Sequence, residues 1–111
     1  MQNSGVDYAL DDKSSFDVVS ILDGTVTNVT NDDILGTVVE IKYSNDLIGV
    51  YQSLSEVVVK TNDQVIQGSI IGKSGESNIG KDLGSHLHFE LYYQGVVVNP
   101  LDYFDKLLGE I

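Results

Sequence analysis

Short apolar segments recur along most of this chain, and residues that favour turns follow each of them. Within the segments, apolar and polar side chains tend to alternate, which is the period of a β-strand. Valine and isoleucine are plentiful, whereas helical periodicity is scarce. The pattern predicts strands at 5–10, 16–22, 25–30, 36–43, 47–54, 69–72, 86–93 and 96–98. We therefore expect a mainly β domain of antiparallel strands.

Three segments depart from the strand pattern. Residues 55–57 are compatible with a short helical turn, and the glycine-rich segment 74–85 predicts a long loop before the last two strands. After Asn99 the sequence predicts one short C-terminal helix, with Asn99 as its N-cap and Pro100 at its first position. Its apolar face and its closing glycine are Leu101, Phe104, Leu107, Leu108 and Gly109.

The length and hydropathy of the chain fit one compact domain that spans residues 1–111. The chain has 111 residues, of which 41% are hydrophobic, and this suffices for a core of ordinary size. It contains no apolar run of about 18 residues and no signal peptide. Because Met1 leads almost directly into the first strand, we expect the domain to be excised from a longer protein.

The charge balance excludes several classes of partner. Six lysines face 17 acidic residues, which gives a formal net charge of -11 and no basic stripe for phosphates. Nucleic-acid binding is therefore not expected, and an anionic membrane surface would repel the domain. The acidity is typical of a solvated surface, or it steers the domain toward a basic partner. The absence of cysteine excludes a disulfide framework.

The only two histidines, His86 and His88, stand two residues apart on a predicted strand. This spacing places both on one face, with Leu87, Phe89 and Leu91 on the other. A hydrolytic zinc centre generally uses three protein ligands and keeps a fourth position open for water. Two histidines and no cysteine leave such a centre incomplete.

Three ordered segments resemble the LytM or lysostaphin type of zinc endopeptidase, the M23 peptidases, which cut peptide cross-bridges in peptidoglycan. The segments are 3–7 (NSGVD), 51–55 (YQSLS) and 86–91 (HLHFEL), and the family reads His-x-Gly-x-Asp, Tyr-x-His-Leu and His-x-His there. The resemblance implies a LytM-like antiparallel β-sheet or β-sandwich fold. It also implies zinc-ligand positions at Asn3, Asp7 and His88, and catalytic histidine positions at Ser53 and His86.

Two of these five positions carry the wrong residue for the reaction. Asn3 offers an amide oxygen where zinc prefers an imidazole or a thiolate. Ser53 can donate a hydrogen bond but cannot exchange protons near neutral pH, and loss of such a group costs about 10²–10⁴ in rate. We therefore expect no cofactor, or at most weak zinc binding, and a degenerate peptidase homologue that is not an enzyme.

One sporulation subgroup of the family, that of stage II sporulation protein Q, shows this kind of decay. Residues 50–57 (VYQSLSEV), 4–7 and 99–101 resemble it. The resemblance implies a parent protein anchored in the forespore membrane by a segment absent here, with this domain extracytoplasmic and facing the intermembrane space. It also implies pairing with stage III sporulation protein AH, from the opposite membrane, in a channel or zipper that supports engulfment.

Two alternatives remain open at this point. The first is an active zinc endopeptidase that uses Asp7, His88 and an unrecognised third ligand, with His86 as the catalytic group. The second is a module that binds peptidoglycan without cutting it. A serine nucleophile at Ser53 is disfavoured, because His86 is its sole candidate base. The sequence does not specify partner-binding residues; we expect an exposed sheet edge or the strands and loops beside the former active-site groove.

Overall fold

The computed structural model describes residues 6–9, 14–44, 46–75 and 84–100. Every strand pair in this part of the chain is antiparallel, which confirms the mainly β prediction. The strands are β1 (Val6–Ala9), β2 (Asp17–Val19), β3 (Gly24–Asp32), β4 (Gly36–Lys42), β5 (Leu47–Val57), β6 (Gln64–Val65), β7 (Ile70–Ser74), β8 (His86–Tyr93) and β9 (Val96–Val98).

The strands form one sheet with a branch at β5. The main order is β1-β8-β5-β4-β3-β6, and β9 pairs with β8. The far end of β5 pairs with β7, which in turn pairs with β2. Because β7 pairs with the end of β5, both β2 and β7 belong to the same sheet as the other strands. No helix long and apolar enough to cross a bilayer occurs among the described residues.

The structure corrects two of the predicted elements. The expected helical turn at 55–57 is wrong, because β5 continues to Val57 and pairs Glu56 and Val57 with Lys73 and Gly72 of β7. The predicted strand 16–22 is shortened to β2, since the backbone of Ser20 leaves the ladder to bond with Gly68 and Ser69.

Two other predictions fall largely outside the described residues. The C-terminal helix would lie beyond Pro100, where the description ends. Most of the predicted loop at 74–85 is likewise not described, although its two ends are: Ser74 ends β7, and Gly75 pairs with His86.

The hydrophobic core lies on one face of the sheet, with β2 and β7 contributing from the branch. The predicted alternation in β8 is confirmed, because Leu87, Phe89 and Leu91 all belong to this core. The rings of Phe89 and Tyr51 pack with centroids 4.9 Å apart. The remaining members of the buried cluster are Val18, Val26, Val39, Ile41, Leu47, Leu54, Val65 and Ile71.

Two buried tyrosine hydroxyls join the sheet to the corner between β2 and β3. The hydroxyls of Tyr43 and Tyr51 are hydrogen-bonded to each other, and the backbone N–H of Ile21 donates to the Tyr51 oxygen over 3.1 Å. Burial raises the pKa of both tyrosines, and for Tyr43 the neighbouring Tyr51 adds to the effect. Both rings therefore stay neutral at physiological pH.

Gly72 provides a test of the branch, because its backbone lies between two strands. It pairs with Val18 of β2 on one side and Val57 of β5 on the other. A Cβ added there would overlap the carbonyl oxygen of Glu56. We expect Gly72→Ala to lower the free energy of unfolding by about 2–3 kcal/mol, measured by urea denaturation.

Gly68→Ala is the matched control for this substitution. Gly68 has a φ of +88° but open space around the added Cβ, so only backbone strain of about 1–2 kcal/mol is expected. A Gly72→Ala variant no less stable than Gly68→Ala would contradict the close packing of β5 against β7.

The tyrosine pair predicts a loss of stability at alkaline pH. Because the folded-state pKa of each tyrosine lies above its unfolded value, the contribution is complete below about pH 10 and falls as the pH rises further. The expected slope is about 1.4 kcal/mol per pH unit for each buried tyrosine. Urea denaturation between pH 8 and pH 11 measures this slope.

Tyr43→Phe and Tyr51→Phe separate the two hydroxyls. Each should reduce the alkaline slope, since each removes one titrating group. At pH 8, Tyr51→Phe should be the more destabilising by about 1 kcal/mol, because it leaves the N–H of Ile21 without its acceptor. Slopes equal to that of the unsubstituted chain would show that another group titrates.

Candidate functional site

Two of the positions that the resemblance assigns to zinc ligands lie where β1, β8 and β5 are side by side. In the backbone register, Asp7 of β1 is opposite His88 of β8, and His88 is also opposite Gln52 of β5. The structure therefore brings Asp7 and His88 together, as the motif spacing predicts. Asn3 lies outside the described residues, so its predicted place in this group remains a prediction.

Ser53 occupies a sharp bend in β5, directly after the residue that pairs with His88. Its backbone has a φ of 71°, which is uncommon for a residue other than glycine, and its side chain is only 2% exposed. The N–H of Ser53 leaves the ladder and donates to the carbonyl oxygen of Leu35 over 2.9 Å. The bend thus turns the predicted catalytic position inward.

At the bend, the backbone of Ser53 lies close to that of Gly36, which has no side chain to obstruct it. A Cβ on Gly36 would lie 3.0 Å from the Cα of Ser53, and Gly36 itself has a φ of +78°. A larger residue would push against the backbone of β5. Main-chain packing therefore accounts for the position of Ser53, without any appeal to a catalytic role.

His86 is held in one orientation at the start of β8. It is 2% exposed, and its Nδ1 lies 2.9 Å from the carbonyl oxygen of Gly84. Because a carbonyl oxygen only accepts, Nδ1 carries the hydrogen, and in the neutral ring Nε2 carries the lone pair. Its backbone N–H donates to the oxygen of Gly75 over 2.8 Å. In the neutral ring, Nε2 of His86 is therefore the nitrogen that can accept a hydrogen bond.

Hydroxyl groups line the segment beside His86. The hydroxyls of Ser74 and Ser85 are 2.8 Å apart, and Ser55 donates to the carbonyl oxygen of Ser74 over 2.8 Å. The N–H of Phe16 donates to the Ser74 hydroxyl over 2.9 Å. These bonds tie β7 to the ends of β5 and β8 and account for the burial of the small polar side chains there.

His88 is bound to a carboxylate on its own strand. Its Nε2 lies 3.2 Å from Oε2 of Glu90, and the hydroxyl of Tyr92 donates to the other oxygen of the same carboxylate over 3.0 Å. Burial and the neighbouring Glu90 raise the pKa of Tyr92, so that its hydroxyl stays protonated. Alternate residues of β8 thus form a polar row on the face opposite the core.

The sequence reasoning missed the roles of Glu90 and Tyr92. The signal was present, because positions 88, 90 and 92 share one face of a strand and Glu90 lies inside the motif itself. Carboxylates that orient metal-binding histidines through their second nitrogen are a general feature of zinc sites. Glu90 makes a contact of this kind with one ring nitrogen of His88.

The residue types at the ligand positions that the resemblance implies differ from those of a hydrolytic zinc centre. They are one imidazole at His88, one carboxylate at Asp7 and one amide at Asn3, whereas such centres use three imidazole, thiolate or carboxylate ligands. Among the side chains that the structure describes, which include neither Asn3 nor that of Asp7, no group of three His, Cys, Asp or Glu could hold a metal ion.

Comparison with known proteins places this geometry in a family. The chain is 45% identical over 109 residues to stage II sporulation protein Q of Bacillus subtilis (strain 168), which covers 98% of this chain and 38% of that protein. It is 34% identical over 99 residues to the peptidoglycan DD-endopeptidase ShyA of Vibrio cholerae, covering 89% of this chain and 22% of ShyA. The chain thus spans well under half the length of these relatives.

Solved structures agree with the sequence comparison. A chain in the structure of the SpoIIQ–SpoIIIAH pore forming complex matches with a TM-score of 0.86 and 46% identity, covering 90% of this chain and 63% of that one. The sequence model of Peptidase family M23 matches residues 1–100. Because that match takes in nearly the whole sequence and all five predicted site positions, the chain belongs to peptidase family M23.

Proposed function

We propose that this chain is a non-catalytic M23 domain that binds another protein during sporulation, and that its partner is a SpoIIIAH-like protein. The observation that carries the proposal is the match to a chain of the SpoIIQ–SpoIIIAH complex, at 46% identity over 90% of this sequence. A TM-score of 0.86 means that the two backbones have closely similar folds over the matched part.

The site chemistry supports a binding role over a hydrolytic one. Peptide hydrolysis by a zinc enzyme needs a bound metal and a group that exchanges protons with the reacting atoms. Asn3, in place of a histidine, weakens metal binding. Ser53, in place of a histidine, removes one of the two groups that would exchange protons with the reacting atoms. The bend at Ser53 is maintained by packing against Gly36, so the fold persists without the reaction.

The proposed setting follows from the same relatives. By resemblance to the stage II sporulation protein Q subgroup, we propose that the parent protein is anchored in the forespore membrane by a segment outside this sequence and that the domain faces the intermembrane space. On the same basis we propose that its partner is anchored in the opposing membrane. Two proteins held in this way meet at high effective concentration, so a modest intrinsic affinity is sufficient for a stable junction.

Direct binding to SpoIIIAH tests the proposal. We expect the purified chain to form a complex with a Kd of about 1 μM or tighter, in line with an interface of ordinary size. Size-exclusion chromatography and isothermal titration calorimetry measure it. The catalytic domain of lysostaphin, which shares the fold, is the control and should not bind.

Failure to bind SpoIIIAH would overturn the proposed partner. If the chain instead cosedimented with insoluble peptidoglycan, the alternative of a non-cutting cell-wall module would replace it. Release of muropeptide fragments that stops on chelation would favour the zinc endopeptidase alternative.

Restoring the missing ligand tests the account of the metal. Asn3→His should raise the affinity for zinc by about 100-fold or more, since loss of even an outer-shell partner costs 10–100-fold. Competition with a chromogenic chelator measures the affinity. Asn28→His, which places the same side chain at an exposed site on β3, is the matched control and should leave zinc affinity unchanged. Equal affinities for the two variants would contradict the assigned ligand position.

A further inference from the structure

The outer edge of β3 exposes a run of backbone positions with a definite orientation. Val26 shows the direction: its N–H donates to the oxygen of Asp63 over 2.8 Å, and its carbonyl accepts the N–H of Asn62 over 2.7 Å. The backbone of Val26 therefore points away from β4. At this first outward position, the edge is already hydrogen-bonded to another segment of the same chain.

The positions that follow can be assigned from the neighbouring ladder. The backbone N–H of Tyr43 donates to the carbonyl oxygen of Leu47 over 2.9 Å, so the backbone N–H and carbonyl groups of residue 43 point toward β5. Because these groups alternate in direction along a strand, those of residues 41 and 39 also point toward β5. Glu40 and Val38 consequently face β3 and bond to Asn28 and Thr30, their register partners.

The two residues between and beyond these bonded pairs point outward. Val29 is opposite Val39 and Asn31 is opposite Thr37, and neither Val39 nor Thr37 turns its backbone toward β3. The N–H and carbonyl groups of Val29 and Asn31 thus face away from the sheet. β6 pairs only with Gly24 and Thr25. Over the ranges that the structure describes, no backbone hydrogen bond reaches the outward groups of Val29 or Asn31.

From Asn28 onward, this edge carries few of the devices that normally prevent strand pairing. Natural edges are commonly protected by lysine, proline, a bulge or very short length. Residues 24–41 contain no lysine, arginine or proline. The one irregularity of β3 lies between Val26 and Asn28, and from Asn28 to Asp32 the strand pairs residue for residue with β4. Five regular residues are therefore available to a further strand.

The opposite side of the sheet offers a less suitable template. There the neighbours of β8 are two separate short strands, β1 with four residues and β9 with three. Val6, the register partner of Phe89, and Val98, the partner of Leu91, belong to different strands. A partner strand would therefore face two short strands there, whereas β3 offers one longer strand.

The charges around the β3 edge indicate what kind of strand it accepts. Asp32 and Asp33 lie at the β3–β4 turn, and Glu40 lies across from Asn28. Hydrogen bonds from the N–H groups of Leu35 and Ile34 lower the pKa of Asp32, so this carboxylate is ionised. Pairing with a second copy would bring acidic groups together on a chain whose net charge is already -11.

Apolar contact is also available at the turn. Ile34 is 57% exposed at the tip of the β3–β4 hairpin, and Val29 packs partly against the core. A strand lying along β3 would cover part of both side chains. The edge thus combines open backbone groups, an apolar end and an acidic surround.

We propose that the partner protein adds an extended strand to the outer edge of β3, pairing with Val29 and Asn31 and placing lysine or arginine residues near the β3–β4 turn. The inference rests on the proposed protein-binding function and names its surface. Backbone bonds give such an interaction its affinity, and the flanking charges set its orientation and specificity.

Amide hydrogen exchange of the unsubstituted chain, followed by NMR with SpoIIIAH as the probe, tests this surface. On binding, the amides of Val29 and Asn31 should exchange at least about 10-fold more slowly, because each gains a hydrogen-bond acceptor. The amide of Thr30 already bonds to β4 and serves as an internal control. The amide of Val97, on the opposite edge, should not change.

A pair of proline substitutions gives an independent readout. Asn31→Pro removes one outward N–H and should weaken SpoIIIAH binding by about 10-fold or more, as expected for a lost interfacial hydrogen bond. Val97→Pro, at an outward position of β9, is the matched control and should leave the Kd unchanged.

The outcomes separate the surface from the function. Absence of any complex would overturn the proposed function and, with it, this inference. A complex that leaves Val29 and Asn31 exchanging at their free rates would overturn the β3 surface while the binding function stands. Protection of Val97 in their place would assign the partner to the opposite edge.

Discussion

The backbone bend at Ser53 is the constraint on which the architecture depends. Before the bend, β5 pairs with β4 and β8; beyond it, Leu54 still pairs with Thr37 of β4, while β7 takes the place of β8 on the other side. A left-handed residue at the turning point costs about 1–2 kcal/mol when it is not glycine. The surrounding sheet offsets this cost, because the N–H of Ser53 has an acceptor in Leu35 and Gly36 leaves space for the main chain.

The same bend explains how the domain can keep its fold while its chemistry changes. The geometry at position 53 is set by main-chain contacts, so it makes little demand on the side chain. The orientation of His86 is likewise set by the backbone, through the carbonyl of Gly84 and the bridge to Gly75. His88 relies instead on Glu90 and Tyr92, which belong to its own strand.

The sequence was sufficient to predict features that depend on local alternation. The two faces of β8 follow from a period of two, and the paired placement of Asp7 and His88 follows from the order of the motifs. Features that depend on distant contacts could not be predicted in this way. Residues 55–57 carry no strong strand signal, and they extend β5 only because β7 pairs with them. The approach of Gly36 to Ser53 joins segments 17 residues apart and leaves no periodic trace.

The sheet branches at β5. Toward its other end lies β3, whose outer edge pairs with β6 at Gly24 and Thr25. The histidines lie at β8, which β5 and β4 separate from β3, whereas the bend at Ser53 contacts the β3–β4 turn through Leu35 and Gly36. A change confined to the side chain of His86 therefore need not disturb the β3 edge, whereas a change in the backbone at Ser53 would reach the β3–β4 turn through Leu35 and Gly36. The two ends of the sheet are stabilised by different strands, and this one main-chain contact links them.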